Sequence, residues 1–155
     1  MKNRSPGPIL FADDNPNDVE LTLSAFQEHK LANEIIVVGD GTEVLDYLHG
    51  RGRFAGRPVA WPALVLLDLK MPKMDGLEVL RAIKSDPKFS TIPVVMLTSS
   101  REEQDLARSY QLGVNSYVLK PVDFASFVEA AKILGIYWTV HNEVLSNAPR
   151  ASEHA

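Results

Sequence analysis

Four short apolar runs each end in a residue able to handle a phosphoryl group or a metal ion. Ile9-Leu10-Phe11-Ala12 runs into Asp13-Asp14, and Leu64-Val65-Leu66-Leu67 into Asp68. Ile92 to Leu97 runs into Thr98, and Ser116-Tyr117-Val118-Leu119 into Lys120-Pro121. Brought together, these supply three carboxylates, a hydroxyl and an ammonium. Crowded carboxylates repel: at ~4 Å and an effective dielectric of ~20, each like-charged pair costs about 4 kcal/mol. Either one carboxyl stays protonated or a cation sits among them. All-oxygen ligands with room for water suit a hard ion such as Mg²⁺. Beside such an ion, Thr98 and Lys120 complete a phosphoryl-transfer site, with charge on the transferred oxygens neutralised by the metal and the ammonium. A carboxylate can act as the nucleophile and form an acyl phosphate. Asp68 is the candidate, because it stands alone at a strand end while Asp13 and Asp14 form a metal-holding pair.

The elements that must position these residues are legible in the pattern. Apolar runs of this length, separated by helical patterns, read as buried parallel strands. Asn15-Pro16 starts a helix, with Asn as N-cap and Pro at the first helical position, and Val19, Leu23 and Phe26 follow at helical spacing. Glu34 to Val38 reads as a second strand. Asp40 with Glu43 caps a helix striped by Val44, Leu45 and Leu48, and His49 to Pro62 is a Gly-, Arg- and Pro-rich loop. Asp75 with Glu78 caps the helix Leu77 to Lys84, and Ser100 with Glu103 caps one ending near Gly113. A last helix is expected from about Asp123 to His141, giving a domain over 8–146 and a polar tail over 147–155 that is expected to be disordered.

Five strand–helix alternations imply an α/β fold, a doubly wound five-stranded parallel sheet of order 2-1-3-4-5. Ligands of such sheets sit at the carboxyl ends of the strands, where strand order reverses. That point lies between the first and third strands, which end in Asp13-Asp14 and Asp68.

The 155 residues fit one domain, and folding at that size buries roughly 70% of the unfolded chain's surface. Absence of cysteine excludes thiol catalysis and Cys-ligated zinc. With 16 Lys+Arg against 20 Asp+Glu and a net charge of −4, general nucleic-acid binding is disfavoured. Met1 to Pro8 has no signal-peptide character, and no apolar run approaches the ~20 residues of a membrane span, so a cytoplasmic protein is expected. Arg51, Arg53 and Arg57 read as a solvated loop. His29, His49, His141 and His154 fall outside the site.

Together, Asp13-Asp14, Asp68 with Met71-Pro72-Lys73-Met74-Asp75-Gly76, Thr98-Ser99, Tyr117 and Lys120-Pro121 resemble the response-regulator receiver domain of two-component signalling. The resemblance covers roughly Ile9 to Gly135. It implies a flavodoxin-like receiver fold and a phosphoryl group accepted on Asp68 from a sensor histidine kinase. It implies Mg²⁺ held by Asp14, Asp68 and the backbone carbonyl of Lys70, with Asp13 acting through water. Thr98 with its neighbour Ser99, and Lys120, would meet the phosphoryl oxygens, Lys120-Pro121 would be a cis bond, and Tyr117 would be the aromatic switch. A narrower resemblance rests on Asp14-Asn15-Pro16-Asn17-Asp18, the loop from Gly50 to Pro62, Asn115-Ser116-Tyr117, Val122-Asp123-Phe124 and Leu134-Gly135-Ile136-Tyr137-Trp138. These look like the stand-alone receivers that serve phytochrome kinases.

Other functions fit less well. Phosphatases of the haloacid-dehalogenase class also use an Asp nucleophile with Mg²⁺, but want Asp-x-Asp after the first strand, where this chain has Asp-Asp-Asn. A flavodoxin-like electron carrier would need a Ser/Thr-Gly phosphate loop in the first turn. Little chain follows the last helix, so output is expected by protein contact: as a shuttle, as a relay to a histidine phosphotransfer protein, or as a phosphate sink. Beyond slow self-phosphorylation and self-dephosphorylation no enzymatic activity is expected. Phe124, Phe127, Val128, Ala131 and Leu134 form one stripe to cover the sheet. Ile133, Ile136, Tyr137, Trp138, Val140 and Val144 exceed that face and predict a homodimer.

Overall fold

The computed structural model describes residues 7–31, 33–56, 58, 60–109, 116–134, 138–140 and 143–145. Strands β1 (Ile9–Ala12), β2 (Ile35–Val38), β3 (Leu64–Asp68), β4 (Val94–Thr98) and β5 (Ser116–Leu119) form one parallel sheet in the order β2-β1-β3-β4-β5. Helices α1 (Pro16–Glu28), α2 (Gly41–His49), α3 (Gly76–Ser85), α4 (Arg101–Ser109) and α5 (Phe124–Leu134) connect or follow the strands.

Continuous apolar strands are needed because the sheet is covered on both faces. Successive side chains alternate between two cores. Leu10, Val65, Leu67 and Met96 pack with Val44, Leu80 and Ile83 of α2 and α3. Ile9, Phe11, Leu64, Leu66, Val95 and Leu97 pack with Phe26 of α1 and Phe127 of α5. The helix starts follow their caps. Asn15 accepts from the N–H groups of Asn17 and Asp18, Asp40 from Glu43, and Asp75 and Glu78 form a reciprocal capping box.

The loop after α2 contains a 3-10 turn over Gly52–Phe54. Its Arg51 and Arg53 pair with Asp46 (3.0 Å) and Glu43 (2.9 Å), while Arg57 lies outside the described residues. The expected end of α4 near Gly113 and the tail over 147–155 also lie outside them.

The last helix departs from expectation. Instead of running to His141, α5 ends at Leu134, and β6 (Trp138–Val140) pairs antiparallel with β7 (Glu143–Leu145). The sequence allows this on local grounds. Gly135 stands where helices favour glycine after their last residue, and Trp138-Thr139-Val140 is an aromatic and β-branched run suited to a strand. Of the residues expected at a dimer interface, Ile133 lies in α5, and Trp138, Val140 and Val144 lie in the hairpin. Ile136 and Tyr137 lie outside the described residues.

Candidate functional site

Strand register does most of the positioning. Ala12 pairs with Leu67, which sets Asp13 abreast of Asp68; Asp68 pairs with Leu97, and Thr98 with Leu119, whose neighbour is Lys120. Asp13, Asp68 and Thr98 are buried, at 2%, 4% and 0% exposure, whereas Asp14 faces solvent. One oxygen from each of Asp13, Asp14 and Asp68 lies within 4.8 Å of the others. The Asp13 carboxylate also accepts the Asn15 N–H at 2.9 Å, tying the strand end to the start of α1. Lys120 reaches in from the end of β5. Its Nζ lies 3.1 Å from Asp68 Oδ1, 3.4 Å from Asp13 Oδ2 and 2.8 Å from Asp18 Oδ2.

The electrostatics follow from three carboxylates, Asp13, Asp18 and Asp68, sharing one ammonium. Burial pushes the Asp68 carboxyl up to about 6; the Asp13 charge adds to this, and Lys120 pulls it back. Burial likewise raises Asp13, against the Asn15 N–H and Lys120. Burial pulls the Lys120 ammonium down, but its hydrogen bond to Asp18 and the charges of Asp68 and Asp13 outweigh this and hold it above its ordinary value. A cluster of hard oxygen donors, two of them buried and under-compensated, can coordinate a divalent metal.

Among the described residues, Thr98 contributes a buried Oγ1 with no hydrogen-bond partner, a group whose isolation costs about 1–3 kcal/mol. Its hydroxyl has unused bonding capacity at a strand end next to Asp68's. Ser99 is exposed, and its N–H donates to Glu103 Oε1 at 2.8 Å, while Ser100 Oγ accepts the Glu103 N–H at 3.1 Å. Lys70 sends its ammonium to Glu103 (3.4 Å), at the start of α4, rather than to Asp68. Tyr117 is half-buried under the Arg108 guanidinium, 4.5 Å from its ring centre. Burial raises its hydroxyl pKa against the Arg108 charge. Pro121 is exposed and follows a cis bond from Lys120, as the resemblance implied.

The structure therefore gathers Asp13, Asp14, Asp68 and Lys120 directly. Thr98 stands at the next strand end, and Ser99, Lys70 and Tyr117 are engaged with α4. Sequence reasoning assigned no role to Asp18 or Arg108. The signal for Asp18 was its place in the first turn of a helix that begins immediately beyond the Asp13-Asp14 pair.

Comparison with known proteins agrees with this geometry. The family model of the response regulator receiver domain matches residues 9–132. The structure of the bacteriophytochrome response regulator AtBRR is 56% identical, with a TM-score of 0.86 over 90% of this chain and 100% of that one. The Mn²⁺-bound form of response regulator Rcp1 is 33% identical, with a TM-score of 0.69 over 87% of this chain and 100% of that one. The probable methanogenesis regulatory protein FilR2 of Methanothrix harundinacea (strain 6Ac) is 38% identical over 141 residues, covering 89% of this chain and 87% of its own. A matched family model over most of the chain, a switch-point carboxylate cluster and close structural kin leave one assignment: this chain belongs to the response-regulator receiver family, close to receivers associated with (bacterio)phytochrome kinases, and is a phosphoaccepting, metal-assisted signalling switch rather than a conventional enzyme.

Proposed function

We propose that Asp68 accepts a phosphoryl group from a phosphohistidine of a phytochrome-class sensor histidine kinase, with Mg²⁺ in the carboxylate cluster, and that the phosphorylated chain signals by protein contact. The observation that carries this is the placement of Asp68 at the switch point, buried beside Asp13 and 3.1 Å from the Lys120 ammonium. An Asp68 oxygen forms the new O–P bond as the donor's N–P bond breaks. The electron pair stays on the imidazole nitrogen, which is then reprotonated. Only the ionised carboxylate can attack, and Lys120 favours that form.

Asp13, Asp14, Asp68 and the Lys70 carbonyl would hold the ion, which when bound neutralises charge on the transferred oxygens. The Thr98 hydroxyl, without a partner among the described residues, supports a role in meeting one phosphoryl oxygen, with Ser99 beside it and Lys120 meeting another. Tyr117 would then repack as Thr98 moves. Kinship with a bacteriophytochrome response regulator supports the choice of kinase, and a histidine phosphotransfer protein is the natural acceptor in a relay.

No described helix is long and apolar enough to cross a membrane, which accords with a cytoplasmic site of action. The segment after α5 supports a homodimer. An isolated two-stranded hairpin is marginal in water and leaves strand edges unpaired, and among the described residues β6 and β7 pair only with each other. A second copy, joined through Ile133, Ile136, Tyr137, Trp138, Val140 and Val144, would cover them.

Incubation with acetyl phosphate and Mg²⁺, followed by mass spectrometry, tests the acceptor. One label on Asp68 is expected, lost with chelator and in Asp68→Asn. Full labelling of Asp68→Asn, or labelling indifferent to chelator, overturns the assignment.

A further inference from the structure

We infer that Asp18 is a positioning residue for Lys120, holding the ammonium on the α1 side of Asp68 until a phosphoryl group draws it away. This rests on the assignment of Asp68 as phosphoacceptor and deepens it. Among the three carboxylates around Lys120 Nζ, Asp18 makes the shortest contact, at 2.8 Å against 3.1 Å for Asp68 and 3.4 Å for Asp13. Asp18 is also the one of the three that stands outside the metal-capable cluster of Asp13, Asp14 and Asp68. A divalent ion in that cluster neutralises Asp13 and Asp68 but leaves the Asp18 charge intact, so Asp18 becomes the stronger claimant on Lys120.

Asp18 is well placed for this. The Asn15 cap accepts its N–H at 3.1 Å and fixes its backbone, and the first turn of α1 favours a negative charge there. Lys120, by contrast, is a point charge on a flexible four-carbon stem and can change partners. A phosphoryl group carries about −1.5 to −2 charge. It can outbid one carboxylate, but it must break a short, charge-assisted hydrogen bond to do so. Asp18 therefore weakens phosphoryl binding and links the start of α1 to the phosphorylation state.

The test is a double-mutant cycle read with the phosphoryl analogue beryllium trifluoride in Mg²⁺, and with acetyl phosphate. Asp18→Asn should tighten beryllium trifluoride binding about 5-fold and lower the KM for acetyl phosphate with little change in kcat. Asp18→Glu should return toward wild type. In a Lys120→Ala background, Asp18→Asn should change nothing, because the residue acts through Lys120. In metal-free protein, the ¹³Cε and ¹⁵Nζ resonances of Lys120 should shift in Asp18→Asn. Asp18→Ser serves as a second variant if the first melts early.

Wild-type affinity and Lys120 resonances in Asp18→Asn and Asp18→Ser would overturn the inference. So would an equal effect in the Lys120→Ala background, which would make Asp18 a bare field charge. Failure of wild-type protein to label at Asp68 would strike the parent assignment instead, and the metal-free resonances would still judge the contact.

Discussion

Asp68 is held under opposing demands, because burial resists the charge that its proposed role requires. Its carboxyl titrates near 3.8 when unperturbed and near 6 in the folded, metal-free protein. The native state therefore binds more protons than the unfolded chain between these values. Stability from this group is full below about pH 4 and is lost as pH rises through 6, by at most about 3 kcal/mol. In chelator, the unfolding free energy of wild type should fall relative to Asp68→Asn between pH 4 and 7, and Mg²⁺ should restore it. A pH-independent difference by urea denaturation would refute this. Thr98 makes a second prediction at this scale. Its hydroxyl is buried and unpaired among the described residues, so Thr98→Val should leave the unphosphorylated protein as stable or about 1 kcal/mol more stable. The same variant should lose the phosphorylation-dependent NMR shift of Tyr117. Destabilisation by Thr98→Val would mean that the hydroxyl already has a partner.

At the scale of elements, α3 presses against the strand end that carries Asp68. A Cβ on Gly76 would collide with the Asp68 carbonyl oxygen, and would lie 2.9 Å from Leu69 Cα and 3.0 Å from Met96 Cε. The Gly76 N–H also donates to the Leu69 carbonyl at 2.8 Å, and the Asp75–Glu78 capping box fixes the helix start. Gly76→Ala must therefore move either the helix or the chain just after Asp68. It should cost about 1–3 kcal/mol in denaturant and weaken divalent-metal binding measured by calorimetry. Gly39→Ala is the contrast, since its Cβ would meet only Glu43 Oε1 at 3.9 Å; it should stay within about 0.5 kcal/mol of wild type. Equal metal affinity in Gly76→Ala would separate α3 from the site.

For the whole molecule, the hairpin after α5 matters most. Among the described residues its two short strands pair only with each other, outside the main sheet, and the proposed homodimer would cover their edges by two-fold pairing. Sedimentation at micromolar concentration should give the mass of two chains, and Tyr137→Glu with Trp138→Glu should give one. A wild-type monomer would refute the dimer.

Much of this protein was local enough to be legible in its sequence. Strand runs, caps at Asn15, Asp40 and Asp75, and chemistry-bearing residues at strand ends are fixed by neighbours a few positions away. Once the strand order follows from right-handed crossovers, Asp13 must lie beside Asp68. The strands Trp138–Val140 and Glu143–Leu145 were not legible, because an aromatic and β-branched run suits a helix face or a strand, and longer-range packing decides between them. Nor was the contact of Asp18 with Lys120, two residues 102 positions apart, since periodicity places backbones but not the ends of long side chains. Tertiary structure alone also decided that Gly76 packs against the backbone of Asp68 and that the Thr98 hydroxyl is buried without a partner among the described residues. Both depend on how closely separate elements approach, which is set by the whole packed core rather than by any stretch of the chain.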